Sequence, residues 1–263
     1  YTTIKKPSDY FNTKLYTGTG STQSITGVGF QPDWVWLKER SQTESHVLID
    51  AVRGVLKRIR SNTNDAEDTV ANSLTTFGTD GFSLGSAGEV NENSQTYASW
   101  NWKANGAGSA NTDGSISSTV SANTTSGFSI VKYTGNGSAG ATIGHGLGSA
   151  PSAIFVKGLS ALSNWSSYHS VLGNTGYMRL DGTNAFTTAS TYWNNTSPDN
   201  DVFTVGTTGN INASGNDFVA YCFADVKGFS KFGSYTGNGS ADGTFIYTGF
   251  KPAFVMVKNV NSG

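Results

Sequence analysis

Short β-branched and aromatic stretches, in which two sets of side chains alternate, recur along this chain between polar turn residues, which is the pattern of β-strands. In one stretch, Trp34, Trp36 and Lys38 alternate with Val35 and Leu37, and residues 97–102 alternate in the same way. Turn-forming pairs such as Thr-Gly, Asn-Gly and Asp-Gly separate these stretches. Because successive side chains of a strand point to opposite faces of a sheet, the pattern predicts an all-β protein with antiparallel strands.

Two local signals refine this prediction. Asp80-Gly81 predicts a hairpin with a type I′ turn, since both central residues of that turn need positive φ. Asp50 to Arg60 places apolar residues at helical spacing, but its counterpart, residues 171–180, is rich in turn residues. We therefore predict a hairpin in both segments rather than a helix.

An opening motif, Tyr-Thr-Gly followed by any residue and Gly, occurs at residues 16–20, 133–137 and 235–239. Each copy leads to a Pro and, six residues later, a Lys; the Lys residues are Lys38, Lys157 and Lys258. Closing motifs also match, since Phe82 and Phe203 are each followed nine residues later by an Asn, and residues 97–102 match residues 218–223. Such a repeat predicts two full units of one fold and the start of a third.

The predicted organisation is therefore tandem antiparallel β-sandwiches, two full repeats plus a partial third. The boundaries are a lead-in at 1–13, a first sandwich at 14–104, a Gly/Ser/Thr/Asn-rich linker at 105–126 with one strand near 115–121, a second sandwich at 127–228, and a third, truncated repeat beginning in 229–263. We expect both ends to be cuts through a longer polypeptide. The third repeat should carry strands at 244–247 and 253–258, with Phe245, Phe254 and Met256 left for the rest of that repeat or a neighbouring subunit to cover.

Composition excludes several classes of protein. Aromatic residues make up 12% of the chain, so the low charged fraction of 13% does not indicate disorder. The net charge of −1 argues against a nucleic-acid partner, and no apolar stretch has the roughly 20 residues of a membrane span. A single cysteine, Cys222, allows no disulfide within the chain, so packing or a homo-oligomer, with a trimer favoured, must supply stability.

Four phrases, Tyr-Thr-Gly-Asn-Gly-Ser, Gly249 to Lys258, Trp100 to Ala104 and Ala220 to Asp225, resemble a repeated domain of tailed bacteriophages. That domain occurs in tail-fibre and other virion surface proteins, particularly of marine and cyanobacterial phages, and is usually left as a domain of unknown function. The resemblance covers nearly the whole chain. It implies a concanavalin-like (jelly-roll type) sandwich, a location on the virion and other virion proteins as partners. It supplies no catalytic residues.

The sequence contains few candidate catalytic or metal-binding residues. The three histidines, His46, His145 and His169, are far apart in sequence, and His46 and His169 follow their Pro-to-Lys motifs at similar distances. A site shared by both units and a structural hydrogen bond both remain open, with the second favoured. No Gly-x-Ser-x-Gly elbow supports a Ser-His-Asp triad, and the spacing of Cys and His is not that of a zinc site. We expect no cofactor.

Clustered acidic residues are the only candidates for a metal site, and the metal would be calcium. They are Asp65, Glu67, Asp68, Asp199 and Asp201. Carboxylate oxygens suit calcium, although acidic residues on solvated loops are the favoured explanation.

The aromatic residues divide into two groups. Trp34, Trp36, Trp100 and Trp102 have mostly aromatic counterparts in the second unit, which favours core packing. A second group has no such counterparts and lies near Asn-rich loops: Trp165, Tyr168, Tyr192 and Trp193. Aromatic faces beside amides suit sugar rings, so these four are the candidate glycan-binding residues.

Two functions are consistent with these sequence features. The first is a non-catalytic structural protein of the virion surface that contributes to host attachment through a surface glycan. The alternative is a concanavalin-like protein that binds or cleaves carbohydrate. An enzyme needs paired carboxylates in one cleft, and the nearest set, Glu39, Glu44 and Asp50, has no match in the second unit. The sequence therefore favours structure over catalysis.

Overall fold

The computed structural model describes residues 2–261, and within this range the chain is all-β, as the alternation predicted. Strands hold 37% of the residues and helices 6%. Residue 1 of the expected lead-in and residues 262–263 of the third repeat lie outside the described range.

Nine strands and one short helix form the first half of the fold, after a 3-10 turn at Pro7–Asp9. They are β1 (Phe11–Thr17), β2 (Gln23–Thr26), β3 (Trp34–Glu39), β4 (Val47–Asp50), β5 (Lys57–Arg60), β6 (Asp68–Thr69), β7 (Leu74–Gly78), β8 (Gly81–Leu84), α1 (Gly88–Asn91) and β9 (Thr96–Trp102).

Ten strands and two short helices form the second half. They are β10 (Ser109–Asn111), β11 (Ser118–Asn123), β12 (Phe128–Thr134), β13 (Ala141–Gly144), β14 (Ala153–Gly158), β15 (Ser166–His169), β16 (Gly173–Met178), β17 (Thr187–Thr188), α2 (Ser190–Trp193), β18 (Val202–Val205), α3 (Gly209–Asn212) and β19 (Asp217–Phe223).

Each half has one large and one small antiparallel sheet. The large sheet of the first half has the order β1-β9-β3-β4-β5-β6, and its small sheet has the order β2-β8-β7. The large sheet of the second half has the order β10-β11-β12-β19-β14-β15-β16-β17, and β13 pairs with β18. From β12 onward, the second large sheet places its strands in the same sequence-relative order as the first. In both, the last strand of the half lies between the first and the third.

Three apolar clusters hold these sheets together. One lies between the two sheets of the first half and includes Val35, Leu37 and Phe82. A second does the same in the second half, with Ile154 and Phe203 among its members. The third cluster lies between the two large sheets, because Trp34 and Trp36 of β3 pack there against side chains of β12 and β19. The two sandwiches therefore contact each other through the faces of their large sheets.

Residues 50–60 form no helix, as predicted. β4 and β5 pair antiparallel, with Leu48 opposite Ile59. The Asp50 carboxylate accepts hydrogen bonds from two backbone N–H groups of the next turn. Such an arrangement is typical of the first turn of a helix. Gly54 (φ 95°) and Leu56 (φ 68°) then end that turn, because positive φ does not continue a right-handed helix. In the second half the hairpin turn lies at residues 170–172, at the start of the predicted segment 171–180, and most of that segment is the single strand β16.

Other local predictions shift in detail. The hairpin at Asp80-Gly81 exists between β7 and β8, but its turn is centred on residues 79–80. The strand predicted at 115–121 is β11, and with β10 it joins the large sheet of the second half. The prediction of strands at 244–247 and 253–258 is wrong for this structure: both stretches have no strand pairing.

Candidate functional site

The repeated opening motif connects the beginning of each half of the fold to its end through hydrogen bonds. Tyr16 Oη donates a hydrogen bond to the Val90 carbonyl at 2.6 Å, and Tyr133 Oη donates to the Ile211 carbonyl at 2.7 Å. The glycine that follows permits close backbone contact, because a Cβ on Gly18 would lie 2.1 Å from a carbonyl oxygen of the facing loop. The motif therefore joins the first strand of each half to the short helix before its last strand.

A buried asparagine completes each of these contacts. Asn91 accepts a hydrogen bond from the Thr19 N–H through Oδ1 and donates through Nδ2 to the Gly85 carbonyl at 2.7 Å. Asn212 donates in the same way to the Gly206 carbonyl at 2.7 Å. Both asparagines are fully buried. The asparagines that match between the two halves therefore hold the glycine-rich loop in place through hydrogen bonds. Their side chains serve this structural contact rather than ligand binding.

The repeated lysine donates a hydrogen bond to the loop that follows its strand. Lys38 Nζ donates to the Gln42 carbonyl at 3.4 Å, and the Lys157 ammonium donates to the Ser163 carbonyl. Burial lowers the pKa of Lys157 to about 8, with the charge of Asp181 opposing that shift. The spacing from Pro to Lys therefore reflects the length of β3 and β14.

Aromatic rings fill the interface between the two large sheets. Trp34 stacks on Tyr221 with ring centroids 4.2 Å apart, and on Phe128 at 5.6 Å. Phe223 packs against Phe128 at 4.9 Å. The expectation that Trp34 and Trp36 face inward is correct, but the surface that covers them is the second half of the chain. Val35 and Leu37, on the opposite face of β3, cover the interior of the first sandwich.

A buried ion pair lies at the centre of this interface. Arg53 Nε lies 2.5 Å from Asp50 Oδ2, and both side chains are at most 1% exposed. Tyr221 Oη, from the other half, donates to Asp50 Oδ2 at 2.7 Å. Burial disfavours the charged guanidinium, but the negative charges of Asp50 and Glu67 outweigh burial and raise the pKa of Arg53. The guanidinium therefore stays charged, and Asp50, which Arg53 and Tyr221 both contact, connects the two halves.

Backbone groups add further links between the halves. The Glu67 N–H donates to the Leu159 carbonyl at 3.0 Å, and the Ser163 N–H donates to the Asn64 carbonyl at 2.9 Å. The Trp165 indole N–H donates to the Arg60 carbonyl at 2.7 Å.

An open cavity of about 410 Å³ lies at one edge of the interface, where both halves meet the C-terminal segment. Its lining residues are Trp36, His46, Ser61, Asn62, Leu180, Asp181, Gly182, Thr183 and Met256. Burial lowers the pKa of His46, and the charge of Lys38 lowers it further, so the imidazole is neutral at pH 7. The cavity thus combines an indole, a neutral imidazole, hydroxyls, an amide and the carboxyl group of Asp181, which is a lining for a polar ligand.

All three histidines accept a hydrogen bond through Nδ1. His46 accepts from the Trp36 indole N–H at 2.8 Å, His145 from the Leu147 N–H at 3.2 Å, and His169 from the Val171 N–H at 3.3 Å. His46 and His169 do not share a position. Strand pairing places His169 opposite Ala153, as Asp50 lies opposite Trp34. The hypothesis of a site common to both halves is therefore corrected.

The four candidate glycan-binding residues are buried. Trp165, Tyr168, Tyr192 and Trp193 have exposed fractions of 0%, 4%, 5% and 1%. Trp165 belongs to the interface cluster, whereas the other three belong to the interior of the second sandwich. A sugar needs an open aromatic face, and protein covers these faces. Their expected role as a glycan platform is corrected to core packing.

The calcium candidates are held mainly by cations and backbone groups of the protein itself. Glu67 pairs with Arg53 at 3.0 Å, Asp68 with Arg58, and Asp65 lies 3.6 Å from Arg60. In the other half, Asp199 accepts hydrogen bonds from the N–H groups of residues 201 and 202, one of them Asp201. Within residues 2–261, no three His, Cys, Asp or Glu side chains are grouped as a metal site would require.

The three carboxylates weighed for catalysis do not face one cleft. Asp50 pairs with Trp34 at one end of β3, and Glu39 lies at the other end, five residues or about 16 Å away. Glu39 is fully buried, and Glu44 lies in the following loop.

Sequence reasoning missed Arg53, Tyr221 and the cavity. Arg53 lies inside the segment whose apolar spacing resembles that of a helix. A charged residue in the middle of that apolar pattern was the available signal of a buried ion pair. Tyr221 aligns with Trp100, and the exchange of an indole for a phenol marked a position with a polar partner. The cavity had no sequence signal, because its lining comes from three distant segments.

The fold and the interface define an all-β protein built from several packed antiparallel sheets. The chain matches the family described as a domain of unknown function (DUF7483) over residues 6–263, and it belongs to that family. No curated protein and no solved structure matches it. Over the described range, no helix has the length and apolar character needed to cross a bilayer.

Proposed function

We propose that this chain is a non-catalytic structural protein of a bacteriophage virion, a tail-fibre or surface protein built from two concanavalin-like sandwiches and the start of a third. The observation that carries the proposal is the use of the repeated residues. Tyr16, Asn91 and Lys38, like their counterparts in the second half, all donate hydrogen bonds to backbone carbonyls of the fold itself. A repeat whose recurring residues serve stability is typical of a modular structural protein.

The resemblance of the sequence phrases to phage repeats supports a location on the virion surface. Other virion proteins are then its partners, and a homotrimer fits a fibre without disulfides, since Cys222 is buried and free. The protein requires no cofactor under this proposal. Contact with the host surface would be made by exposed loops of the sandwiches.

Purified particles provide the direct test. Phage particles from cultures that encode this sequence are separated on a density gradient and examined by mass spectrometry and by immunogold electron microscopy. We expect peptides of the chain in the particle band and gold at the particle surface. Recovery of the chain only in the soluble cell fraction would overturn the proposal. Native mass spectrometry of the protein released from particles tests the trimer, with three times the mass of the denatured single chain expected.

The cavity favours a second candidate, a carbohydrate-binding protein. The Asn62 amide, the Thr183 hydroxyl and the Asp181 carboxyl group line it, and such polar groups suit the hydroxyls of a sugar. Titration with host surface polysaccharide tests this candidate. Thr183→Trp, which fills the cavity, should abolish binding, whereas Thr187→Trp on the exposed strand β17 should not. Binding that both variants retain would exclude the cavity.

A further inference from the structure

His46 lines the cavity between the two halves, and its two ring nitrogens have different surroundings. Nδ1 accepts a hydrogen bond from the Trp36 indole N–H at 2.8 Å. An indole N–H can only donate, so Nδ1 carries no proton. Burial lowers the pKa of His46, and the charge of Lys38 lowers it further, so the imidazole is neutral at pH 7. The single ring proton of His46 is therefore on Nε2.

Contacts within the first half fix the orientation of this ring. The His46 backbone N–H donates to Asn62 Oδ1 at 3.1 Å, and Asn62 Nδ2 donates to Ser45 Oγ at 3.3 Å. The His46 ring lies edge-on to the Trp36 ring, with centroids 5.8 Å apart. The Nε2–H group is therefore held in position before any ligand arrives, and a donor held in this way loses little conformational entropy when a ligand binds.

His145 shows how a histidine of this protein is used when its role is structural. Its Nδ1 accepts from the Leu147 N–H at 3.2 Å, as Nδ1 of His46 accepts from an indole, but its Nε2–H donates to the Asp199 carbonyl at 3.1 Å. His145 is also fully buried. His46 is half-buried, and across residues 2–261 its Nε2 has no hydrogen-bond partner and is not a buried atom. The fold therefore uses one nitrogen of His46 and leaves the other available at the cavity.

The rest of the cavity lining fits a ligand that is rich in hydroxyl groups. Ser61 and Thr183 contribute hydroxyls, which can donate or accept, and Asn62 retains one amide N–H that Ser45 does not use. The cavity volume of about 410 Å³ lies within the range of about 300–1,000 Å³ that is typical of small-molecule sites. A sugar ring offers oxygens that accept and hydroxyls that donate. An oxygen of such a ring is the acceptor that the Nε2–H of His46 lacks.

We propose that His46 positions the ligand of this cavity by donating its Nε2–H to a hydroxyl or ring oxygen of an uncharged sugar. The proposal rests on the second candidate function, carbohydrate binding at the cavity, and adds the group that holds the sugar. A sugar without an oxygen at this position would leave the imidazole N–H unpaired in the complex, which lowers affinity. Trp36 acts through His46, because its indole N–H fixes the tautomer.

NMR of the full wild-type chain tests the tautomer and the contact without any substitution. Long-range ¹H–¹⁵N spectra at pH 7.5 should show the Nε2–H form of His46. Methyl α-glucopyranoside, methyl α-galactopyranoside and methyl α-mannopyranoside are then added in separate titrations. At least one of them should shift the Nε2 resonance of His46 saturably, with the resonances of His145 and His169 unchanged. An Nδ1–H form of His46, or no shift of its Nε2 resonance with any of the three glycosides, would overturn the proposal.

Two substitutions separate the ligand contact from the structural contact. His46→Asn places an amide oxygen near the position of Nδ1, so it keeps an acceptor for Trp36 and has no group at the position of Nε2. It should weaken glycoside binding about fivefold or more at an unchanged urea midpoint. His46→Gln places its amide near the position of Nε2, so it should keep most of the affinity and lower the urea midpoint. His169→Asn, outside the cavity lining, is the control and should leave the affinity unchanged.

The outcomes distinguish this proposal from the function on which it rests. Affinity that His46→Asn retains and Thr183→Trp abolishes would refute the role of His46 and leave carbohydrate binding at the cavity in place. Affinity that both variants retain would exclude the cavity and, with it, the proposal. If His46→Asn also loses stability, the wild-type NMR titration decides. None of these results bears on the virion proposal.

Discussion

Trp36 shows how much one side chain of the interface contributes. It is 6% exposed, lies in the cluster between the large sheets and donates its indole N–H to His46. Replacing it by Ala leaves a cavity that the surrounding rings cannot fill. We expect Trp36→Ala to lower the free energy of unfolding by about 3–5 kcal/mol in urea denaturation. Leu162→Ala, at a 72% exposed position, should change it by less than about 0.5 kcal/mol. Equal effects of the two variants would refute the interface assignment.

A substitution at Asn212 tests the contribution of the hydrogen bonds that hold the glycine-rich loop. Asn212→Asp keeps the shape of the side chain but removes the donors to the Gly206 and Ser138 carbonyls. The buried Gly206 carbonyl and the partly buried Ser138 carbonyl then face a carboxylate without a hydrogen bond, and a buried unsatisfied group costs about 1–3 kcal/mol. We expect a loss of about 3 kcal/mol or more in unfolding free energy at pH 7. Asn238→Asp, at an exposed loop position, serves as the control and should be neutral.

His145 makes stability depend on pH. It is fully buried, and burial lowers its pKa, while the Asp199 carbonyl and nearby carboxylates oppose that shift. A folded-state pKa below the unfolded value means that the unfolded chain binds more protons as the pH falls. Stability is therefore present above the unfolded pKa of about 6.5 and is lost as the pH drops below it. Burial lowers the pKa of His46 and His169 as well, so both contribute to the same loss.

Chemical denaturation at pH 7.5, 6.5 and 5.5 measures this dependence. The wild type should lose stability between pH 6.5 and 5.5, and His145→Gln should show a shallower loss although it is less stable at pH 7.5. The same slope in both proteins would mean that another group is responsible.

At the scale of elements, the contact between β4 and β19 depends on a buried charge. Arg53→Met removes the positive charge beside Asp50 and leaves that carboxylate inside the interface with hydrogen bonds from Tyr221 and two backbone N–H groups but no cation. We expect a loss of about 3–5 kcal/mol, because an uncompensated buried charge is costly. Lys6→Met breaks an exposed pair with Asp9, whose side chains are 72% and 46% exposed, and should cost at most about 1 kcal/mol. A small effect of Arg53→Met in urea denaturation would show that water reaches Asp50.

The same segment shows where element prediction from sequence is reliable. The hairpin of β4 and β5 could be predicted by comparing the two repeats, because a turn-rich counterpart excludes a long helix. The position of its turn could not, because it depends on the Asp50 side chain and on positive φ at Leu56. Positive φ at a residue such as leucine is held by surrounding contacts and has no local sequence signal.

At the scale of the molecule, the two sandwiches should unfold together. Their contact includes stacked aromatic rings, the ion pair of Arg53 and backbone hydrogen bonds such as that from Glu67 to Leu159. Neither large sheet can leave the other without exposing that surface to water. Differential scanning calorimetry should therefore show one transition with equal calorimetric and van't Hoff enthalpies. Two resolved transitions would show that the halves are independent.

The sequence by itself determined the all-β class, the three copies of the opening motif and the closing motifs that match them. These are local properties, since alternation and turn residues act within a few positions along the chain. It also identified Trp34 and Trp36 as residues of one inward face.

Only the tertiary structure decided which surface covers each face. Both faces of β3 are apolar, so alternation distinguishes them but does not say which meets the small sheet and which meets another half of the chain. The glycan candidates have the same explanation: Trp165 and Tyr192 lie near polar loops in sequence, but segments distant along the chain bury them. The cavity beside His46 depends likewise on how separate segments meet, because burial is a property of the assembled sheets and not of any single strand.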